Sequence, residues 1–350
     1  MKNKGLRIYQ PQFHYTDYLT FLLSEINALR QAIEQAPLIP QWEVKLRREA
    51  LLESVQASTS IEGNSLDLNE VSQVLLNQKS IGTRHEQKEV QNYFQTLLRL
   101  EKLKSKAVLE PKDVIQIHNW IMKGLPNAEP TNEFRKVPVA IGNPKTRKIS
   151  YLAPPAKVVP ALTTELLEWY QRSPAHLNPI IKAAVCHYRL VWIHPFVDGN
   201  GRSARALATL VLLRENFDIK RFFTLDDYYD ADRTAYYQAI QKTNLSEDLS
   251  EWLVYFAEGV KQSLEAVKRK IDQLTNHLPK LTPPSSQIVV SKREEEVLRL
   301  LVSQPKLTSQ DFQEKFKISR QAVAKLTSKM IKKGLLRGHQ HGRSTFYTLG

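Results

Sequence analysis

Apolar residues at helical spacing run through most of this 350-residue chain and constrain its fold more than any other feature. Leu19, Leu22, Ile26, Leu29 and Ile33 are three or four positions apart, which places them on one face of a helix. The same reasoning predicts helices over 42–58, 90–98, 114–121, 178–192 and 207–213, and one or two long helices over 247–277. The pattern predicts a mainly α protein.

The stretch from Phe134 to Tyr151 is the exception to this pattern. Its first half alternates apolar residues, Gly142-Asn143-Pro144 predicts a turn, and Ile149 to Leu152 predicts a returning strand. An isolated hairpin is marginally stable in water, so we expect this one to pack on the helices.

Charge and cysteine content exclude several classes of protein. The net charge is +14, and residues 287–350 hold 13 basic but only 5 acidic residues, which favours an acidic or phosphate-bearing partner. The single cysteine, Cys186, excludes an internal disulfide and a Cys-rich zinc site. No stretch approaches the ~18 apolar residues of a membrane span, and the first residues lack the apolar core of a secretory signal. We therefore expect a soluble, cytoplasmic protein.

Changes in composition along the chain predict four regions. These are an N-terminal helical region (1–110), a central core (111–277), a linker rich in proline and serine (278–287) and a basic C-terminal domain (288–350).

The C-terminal domain has a pattern of its own. A helix over 294–302 is followed by helices that Thr308 and Ser319 cap, and 334–349 predicts two strands around a basic turn. This order predicts a winged helix-turn-helix domain, with Arg320, Gln321 and Lys325 at the exposed start of its recognition helix. DNA contact, dimerisation and docking of a protein target all remain open for this domain.

Residues 194–205 hold the chemistry: they read His-Pro-Phe-Val-Asp-Gly-Asn-Gly-Arg-Ser-Ala-Arg. Gly199-Asn200-Gly201 allows a tight turn before a helix, whose first N–H groups and positive dipole end form an anion site. Arg202 and Arg205 lie one turn apart and can both contact phosphates.

Two residues before this turn complete the set. Asp198 offers a carboxylate to a hard cation such as Mg²⁺, and His194 is suited to accept a proton at neutral pH. Each feature alone is common in a helix–helix turn, but together they favour phosphate transfer. No P-loop, dinucleotide fingerprint, nucleophile elbow or paired-histidine zinc motif is present.

The stretch resembles the signature of the Fic family, His-Pro-Phe-x-Asp/Glu-Gly-Asn-Gly-Arg-x-x-Arg, at every defined position, and the resemblance extends over roughly residues 10–275. It implies a Fic-type helical bundle with a hairpin flap that holds the target segment by strand addition. It also implies an adenylyltransferase, which moves AMP from ATP to a Ser, Thr or Tyr hydroxyl of a protein and releases pyrophosphate. Asp198, where the phosphorylating Doc-type branch has lysine, favours this activity.

The resemblance also implies a role for each residue of the motif. His194 would be the catalytic base, Asp198 would hold Mg²⁺, and Phe196 would fix the loop. The ATP-binding residues would be Gly199, Asn200, Gly201, Arg202 and Arg205, with Asn200 and neighbouring amides at the α-phosphate, Arg202 at the β-phosphate and Arg205 at the γ-phosphate. Tyr229 and Tyr237 resemble the region that borders the adenine pocket, although aromatic residues at helical spacing are more often part of a core.

A second motif resembles the family's inhibitory sequence, Ser/Thr-x-x-x-Glu-Gly/Asn. Ser58, Glu62 and Gly63 match it at the end of a predicted inhibitory helix at about 42–63, where glycine is a favourable helix stop. The resemblance implies that Glu62 pairs with Arg205 and occupies the γ-phosphate position.

Three functions remain open at this point. The first is a protein adenylyltransferase that modifies a protein target and itself, restrained by Glu62. The second is removal of AMP from a modified protein, with Glu62 positioning the water. The third is a DNA-binding regulator whose core senses a nucleotide. The oligomeric state, including a homodimer, also remains open.

Overall fold

The computed structural model describes residues 9–76, 82–125, 131–143, 148–217, 219–276, 290–304, 306–341 and 344–350. The predicted linker at 278–287 and the residues 144–147 of the predicted hairpin turn lie outside the described residues. The described part is mainly helical, which confirms the predicted fold class.

The N-terminal and central helices follow one another through short connections. They are α1 (Asp17–Glu34), α2 (Pro40–Ile61), α3 (Leu68–Leu75), α4 (Arg84–Lys104), α5 (Pro111–Met122), α6 (Val159–Arg172), α7 (Pro179–Ile193), α8 (Asn200–Arg214), α9 (Asp226–Ala231), α10 (Arg233–Ser246) and α11 (Ser250–Asn276). The helix predicted at 42–58 is longer at both ends, because Pro40 suits a first turn and the stop comes only at Gly63.

The helices α7 and α8 form the centre of the bundle. Most residues of both are buried, and α2, α4, α5, α6 and α11 pack around them. Trp252 of α11 is fully buried and donates its indole N–H to the carbonyl of Ala184 in α7 at 2.8 Å. This packing fixes the end of α7 and the start of α8, which the site uses.

The predicted hairpin consists of β1 (Ala140–Asn143) and β2 (Lys148–Leu152), paired antiparallel with an irregularity between Ile141 and Gly142. The alternation begins at Val137, but the strand starts only at Ala140. Pro138 has no N–H for the ladder, and the carbonyl of Val137 accepts a hydrogen bond from Arg135 instead.

The C-terminal region holds α12 (Lys292–Ser303), β3 (Leu307–Thr308), α13 (Ser309–Phe316), α14 (Arg320–Lys332), β4 (Leu336–His341) and β5 (Ser344–Leu349). Thr308 and Ser319 cap α13 and α14 as predicted, and the strands form an antiparallel sheet in the order β3-β5-β4. Apart from β3, the order of helices and strands is the predicted one, and assignment to the winged-helix class stays a prediction.

Helix α2 connects the C-terminal region to the bundle. Near its N-terminal end, Val44 is buried in the apolar core of the C-terminal region, and Gln41 donates its side-chain amide to the carbonyl of Gly334 at 3.1 Å. The other end of α2 reaches the start of α8. Within the described residues, no helix combines the length and apolarity needed to cross a bilayer.

Candidate active site

The loop between α7 and α8 holds most of the predicted site residues. Helix α7 ends at Ile193, and His194 adopts a left-handed conformation (φ 50°) that turns the chain away. Gly199 has φ 74° just before α8, and a side chain there would run into the sulfur of Met122. This is a position that requires glycine.

The side chain of Asn200 closes this loop. It accepts a hydrogen bond from the N–H of Phe196 and donates one to the carbonyl of the same residue, both at 2.9 Å. The resemblance implied that Asn200 cradles a phosphate. Its side chain is occupied inside the loop, so it would contribute its backbone N–H, which has no partner inside the helix.

The ring of Phe196 anchors the loop, in line with its implied structural role. Phe196 is buried and stacks on the imidazole of His118, with 3.7 Å between the ring centroids. The Nε2 atom of His118 lies 3.1 Å from the carbonyl oxygen of Asp198, and burial lowers the pKa of His118 to about 4. A neutral His118 therefore contacts the loop at two residues, Phe196 and Asp198.

His194 is oriented as a base. Its Nδ1 atom lies 3.3 Å from the carbonyl oxygen of Val191, and an Nδ1–H donated there leaves Nε2 as the free acceptor. Burial lowers the pKa of His194, which keeps the ring neutral at pH 7. The guanidinium of Arg135 donates to the carbonyls of His194 at 2.7 Å and Pro154 at 2.6 Å, and so ties the base of the hairpin to the loop.

Arg202 is buried against a carboxylate from another helix. Its Nη1 atom lies 2.7 Å from Oε1 of Glu89 in α4, and its Nη2 atom lies 3.7 Å from Oδ1 of Asp198. Its Nε atom is buried with no hydrogen-bond partner in the described part of the chain. The guanidinium is thus held from one side, with donors left over.

Arg205 is the centre of a denser set of contacts. Its Nε donates to the hydroxyl of Ser58 at 2.7 Å and lies 3.4 Å from Oδ1 of Asp226, while its Nη2 donates to the carbonyl of Ser58 at 2.9 Å. The same Nη2 lies 2.8 Å from Oε1 of Glu62. Burial alone would lower the pKa of Arg205, but Glu62 and its other neighbours raise it overall.

Glu62 reaches Arg205 because the chain stops being helical there. Gly63 has φ 100°, which suits glycine, and its N–H donates to the carbonyl of Ser60. A Cβ built on Gly201 would overlap the carboxylate of Glu62. The carboxylate therefore lies against the first turn of α8, which is the predicted anion site.

Asp198 is the residue implied as a magnesium ligand. Its side chain is 69% exposed, and Oδ1 accepts the N–H of Gly199 at 2.5 Å. No group of three or more His, Cys, Asp or Glu side chains suited to a metal occurs among the described residues. A single exposed carboxylate fits Mg²⁺ that is bound mainly through substrate phosphates and water.

The two tyrosines implied for adenine lie in different surroundings. Tyr229 is buried and stacks on Tyr236, with 4.5 Å between the ring centroids. Tyr237 is 52% exposed, and Glu62 is among the groups that raise its pKa, after burial. Tyr229 therefore belongs to the core in this structure, and of the two only Tyr237 offers surface to a ligand.

The three residues proposed for DNA contact lie far along the chain from this site. Arg320, Gln321 and Lys325 are exposed on the first turns of α14, as predicted.

Sequence reasoning missed five site residues: Glu89, His118, Arg135, Asp226 and also Asn64, whose side-chain amide donates to Oε2 of Glu89 at 3.0 Å. Glu89 continues the buried stripe of α4, four positions before Tyr93, and a carboxylate on such a stripe was the available signal. Asn64, Arg135 and Asp226 had no comparable signal, since their contacts come from distant segments.

Comparisons with known proteins agree with this geometry. Residues 108–212 match the model of the Fic/DOC family, which confirms the predicted resemblance. A crystal structure of a Fic family protein from Desulfovibrio desulfuricans aligns with 98% of this chain and 98% of its own, at a TM-score of 0.66 and 23% identity, which shows the shared fold. The structure of Fic-1 from Caenorhabditis elegans aligns with 71% of this chain at a TM-score of 0.58 and 25% identity.

Curated relatives carry a functional name. The protein adenylyltransferase fic-1 of Caenorhabditis elegans is 27% identical over 257 residues, which are 70% of this chain and 47% of that protein. The protein adenylyltransferase Fic of Culex quinquefasciatus is 24% identical over 297 residues, 81% of this chain and 53% of that protein. The chain spans about half the length of these relatives.

Proposed function

We propose that this protein is a Fic-type adenylyltransferase that transfers AMP from ATP to a hydroxyl side chain of a protein, itself included. The observation that carries the proposal is the arrangement around the start of α8. The acceptor nitrogen of His194, the N–H groups of the first helical turn and the guanidinium of Arg202 come together at one short loop. The names of the relatives support the same reaction.

The reaction needs one base and one electrostatic cradle. The target hydroxyl oxygen bonds to the α-phosphorus, its proton passes to Nε2 of His194, and the bond to the bridging oxygen breaks to release pyrophosphate. The start of α8 and Arg202 stabilise the charge on the phosphates. Asp198 would hold Mg²⁺, which neutralises phosphate charge when bound.

The hairpin offers a docking surface for the target segment. Ile149 and Leu152 of β2 are exposed, and Val197 is exposed on the loop between α7 and α8. An extended segment that pairs with the hairpin would bury these side chains and bring a hydroxyl to His194.

We further propose that the protein is restrained by Glu62. The carboxylate lies where the anion site is predicted and pairs with Arg205, so a bound γ-phosphate would have to displace it. A second candidate reaction is removal of AMP from a modified protein, in which Glu62 would position the water; the charge of Glu62 acts on His194 and raises its pKa against the effect of burial, which favours a shared role.

Labelled ATP tests the reaction directly. With Mg²⁺ and ATP labelled at the α-phosphate, we expect the protein to label itself, and His194→Ala to abolish labelling while binding ATP as the wild type does. The base contacts the incoming hydroxyl rather than the nucleotide, which is why the two effects separate. Labelling by His194→Ala at the wild-type rate would contradict the mechanism, and loss of label from pre-modified protein would instead favour AMP removal.

The C-terminal region supports one further candidate, contact with duplex DNA. Its net basic charge and the exposed Arg320, Gln321 and Lys325 at the start of α14 favour such contact. Binding of the full chain to a labelled duplex should weaken steeply as salt rises and should fall in the Arg320→Ala, Lys325→Ala variant. No binding at low salt would favour protein docking instead.

A further inference from the structure

A buried carboxylate faces Arg202 from outside the Fic domain that the family model matches. Glu89 lies on α4, before residues 108–212, and its side chain is 8% exposed. Its Oε1 atom lies 2.7 Å from Nη1 of Arg202, whose own side chain is 3% exposed. Two buried charges are costly to desolvate, and their attraction repays the cost only when further hydrogen bonds hold them in place.

Those further hydrogen bonds are present on the side of Glu89. Its Oε2 atom accepts a hydrogen bond from the side-chain amide of Asn64 at 3.0 Å. The Nε2 atom of His85 lies 3.6 Å from Oε1 of Glu89. The amide of Asn64 also donates to the carbonyl of Glu86 at 3.1 Å. Glu89 is therefore fixed in position by its surroundings as well as by the arginine that it contacts.

This arrangement orients the rest of the guanidinium. Nη1 is directed to Glu89, while Nη2 lies on the side of Asp198 and Nε is buried without a hydrogen-bond partner in the described part of the chain. An arginine has five N–H donors in a rigid plane, so fixing one edge fixes the direction of the others. The N–H groups of Nη2, on the side of Asp198, are the donors left for a phosphate oxygen.

The turn that carries Glu62 contacts both arginines of the motif. Glu62 pairs with Arg205 directly, and Asn64, two residues later, holds the carboxylate that pairs with Arg202. The N–H of Asn64 donates to the carbonyl of Thr59 at 3.1 Å, so the turn itself is fixed at the end of α2.

We propose that Glu89 is a positioning residue that presents Arg202 to the second phosphate of the nucleotide, and that Asn64 keeps it in place. The inference rests on the proposed function, because that function supplies the nucleotide. Through Arg202, Glu89 determines how strongly the protein prefers nucleoside di- and triphosphates to monophosphates. Glu89 does this without contacting substrate.

Binding of ADP and AMP to the full-length protein tests this inference without measuring transfer. In Glu89→Gln, which keeps the size and one acceptor but removes the charge, we expect the Kd for ADP to rise about tenfold and the Kd for AMP to change less than twofold. Glu89→Asp, which restores the charge on a shorter side chain, should recover part of the ADP affinity. Glu101→Gln is the matched control, because it removes an exposed carboxylate from the same helix.

The outcomes separate the inference from the function on which it rests. Equal losses for ADP and AMP in a folded Glu89→Gln protein, or no loss for either, would overturn the positioning role. Recovery by Glu89→Asp together with an unchanged Glu101→Gln would support it, since a merely structural defect would not spare AMP. If the wild type bound neither nucleotide, the proposed function would fail, and the inference with it.

Discussion

Arg202 and Arg205 lie three residues apart on one helix, and each pairs with a glutamate from elsewhere in the chain. The partner of Arg202, Glu89, comes from a helix inside the bundle, is 8% exposed and accepts a second hydrogen bond from Asn64. The partner of Arg205, Glu62, comes from the turn after α2 and is 24% exposed. One pair is built into the core and the other lies at the edge of the site.

The surroundings of the two glutamates explain this difference. Glu62 follows the C-terminal end of α2, where the helix dipole disfavours a negative charge, and it lies against the N-terminal turn of α8, where the dipole favours one. A phosphate would gain the same favourable field. Glu62 therefore resembles a ligand that can be replaced, while Glu89 resembles a fixed counter-ion that orients its arginine.

The largest expected effect is a loss of stability when a substitution removes the buried Glu89–Arg202 pair. Glu89→Ala leaves Arg202 buried without its closest partner and should lower the free energy of unfolding by about 3–5 kcal/mol. Glu62→Ala should cost less, about 1–2 kcal/mol, because the pair is only partly buried and Arg205 keeps Ser58 and Asp226 as partners. Urea unfolding of both variants measures the difference, and equal losses would contradict the comparison.

The next largest effect is on the rate of AMP transfer when a substitution removes the Glu62–Arg205 pair. Glu62→Gly frees Arg205 for the γ-phosphate and should raise self-modification roughly tenfold to several-hundredfold, since displacing a partly buried ion pair involves a few kcal/mol. Adding Arg205→Ala should remove most of that gain. Self-modification and ATP affinity are measured for wild type and both variants. Equal rates of transfer by the wild type and Glu62→Gly would mean that residues 58–63 are an ordinary helix end without an inhibitory role.

The pH dependence of AMP transfer reports on the base, His194, rather than on either ion pair. Burial lowers the pKa of His194 below the ordinary value of about 6.5, so the ring stays neutral and able to accept a proton into the mildly acidic range. In Glu62→Gly the rate should therefore stay above half its maximum down to about pH 6.5 and reach half-maximum only below that pH. A half-maximal rate above pH 6.5, in single-turnover assays across this range, would show that burial does not control the base.

The smallest expected effect comes from the far end of α2. Gln41→Ala removes the hydrogen bond to Gly334 and loosens α2 from the C-terminal region, which should shift some molecules away from the Glu62–Arg205 pair. A net hydrogen bond is worth about 1 kcal/mol, so transfer should rise roughly twofold to fivefold.

Nucleotide affinity shows whether Gln41→Ala acts on one ion pair or on both. The affinity for ADP should stay nearly unchanged in Gln41→Ala, because Glu89 belongs to α4 and is paired with Arg202 in the bundle core. Lys45→Ala, an exposed change on the same helix, is the control. A rise in Lys45→Ala of the same size would mean that α2 responds to any substitution.

The sequence by itself determined the helical class, the caps at Thr308 and Ser319, and the motif from His194 to Arg205. These features depend on residues a few positions apart, and local spacing specifies local geometry. The short elements α3, α9 and β3, and the helices α6 and α10, were not predicted, because their apolar stripes or pairing partners become clear only when packed against neighbours.

Only the tertiary structure decided which carboxylate meets which arginine. Glu89 lies 113 residues before Arg202, and Ser58 lies 147 residues before Arg205. Contact at such separation depends on how α2, α4 and α8 pack together, and no spacing rule in the sequence encodes it. The reactive residues of the motif are thus adjacent in the sequence. The carboxylates that orient or restrain its arginines come from other helices, which only the folded bundle brings within hydrogen-bond distance.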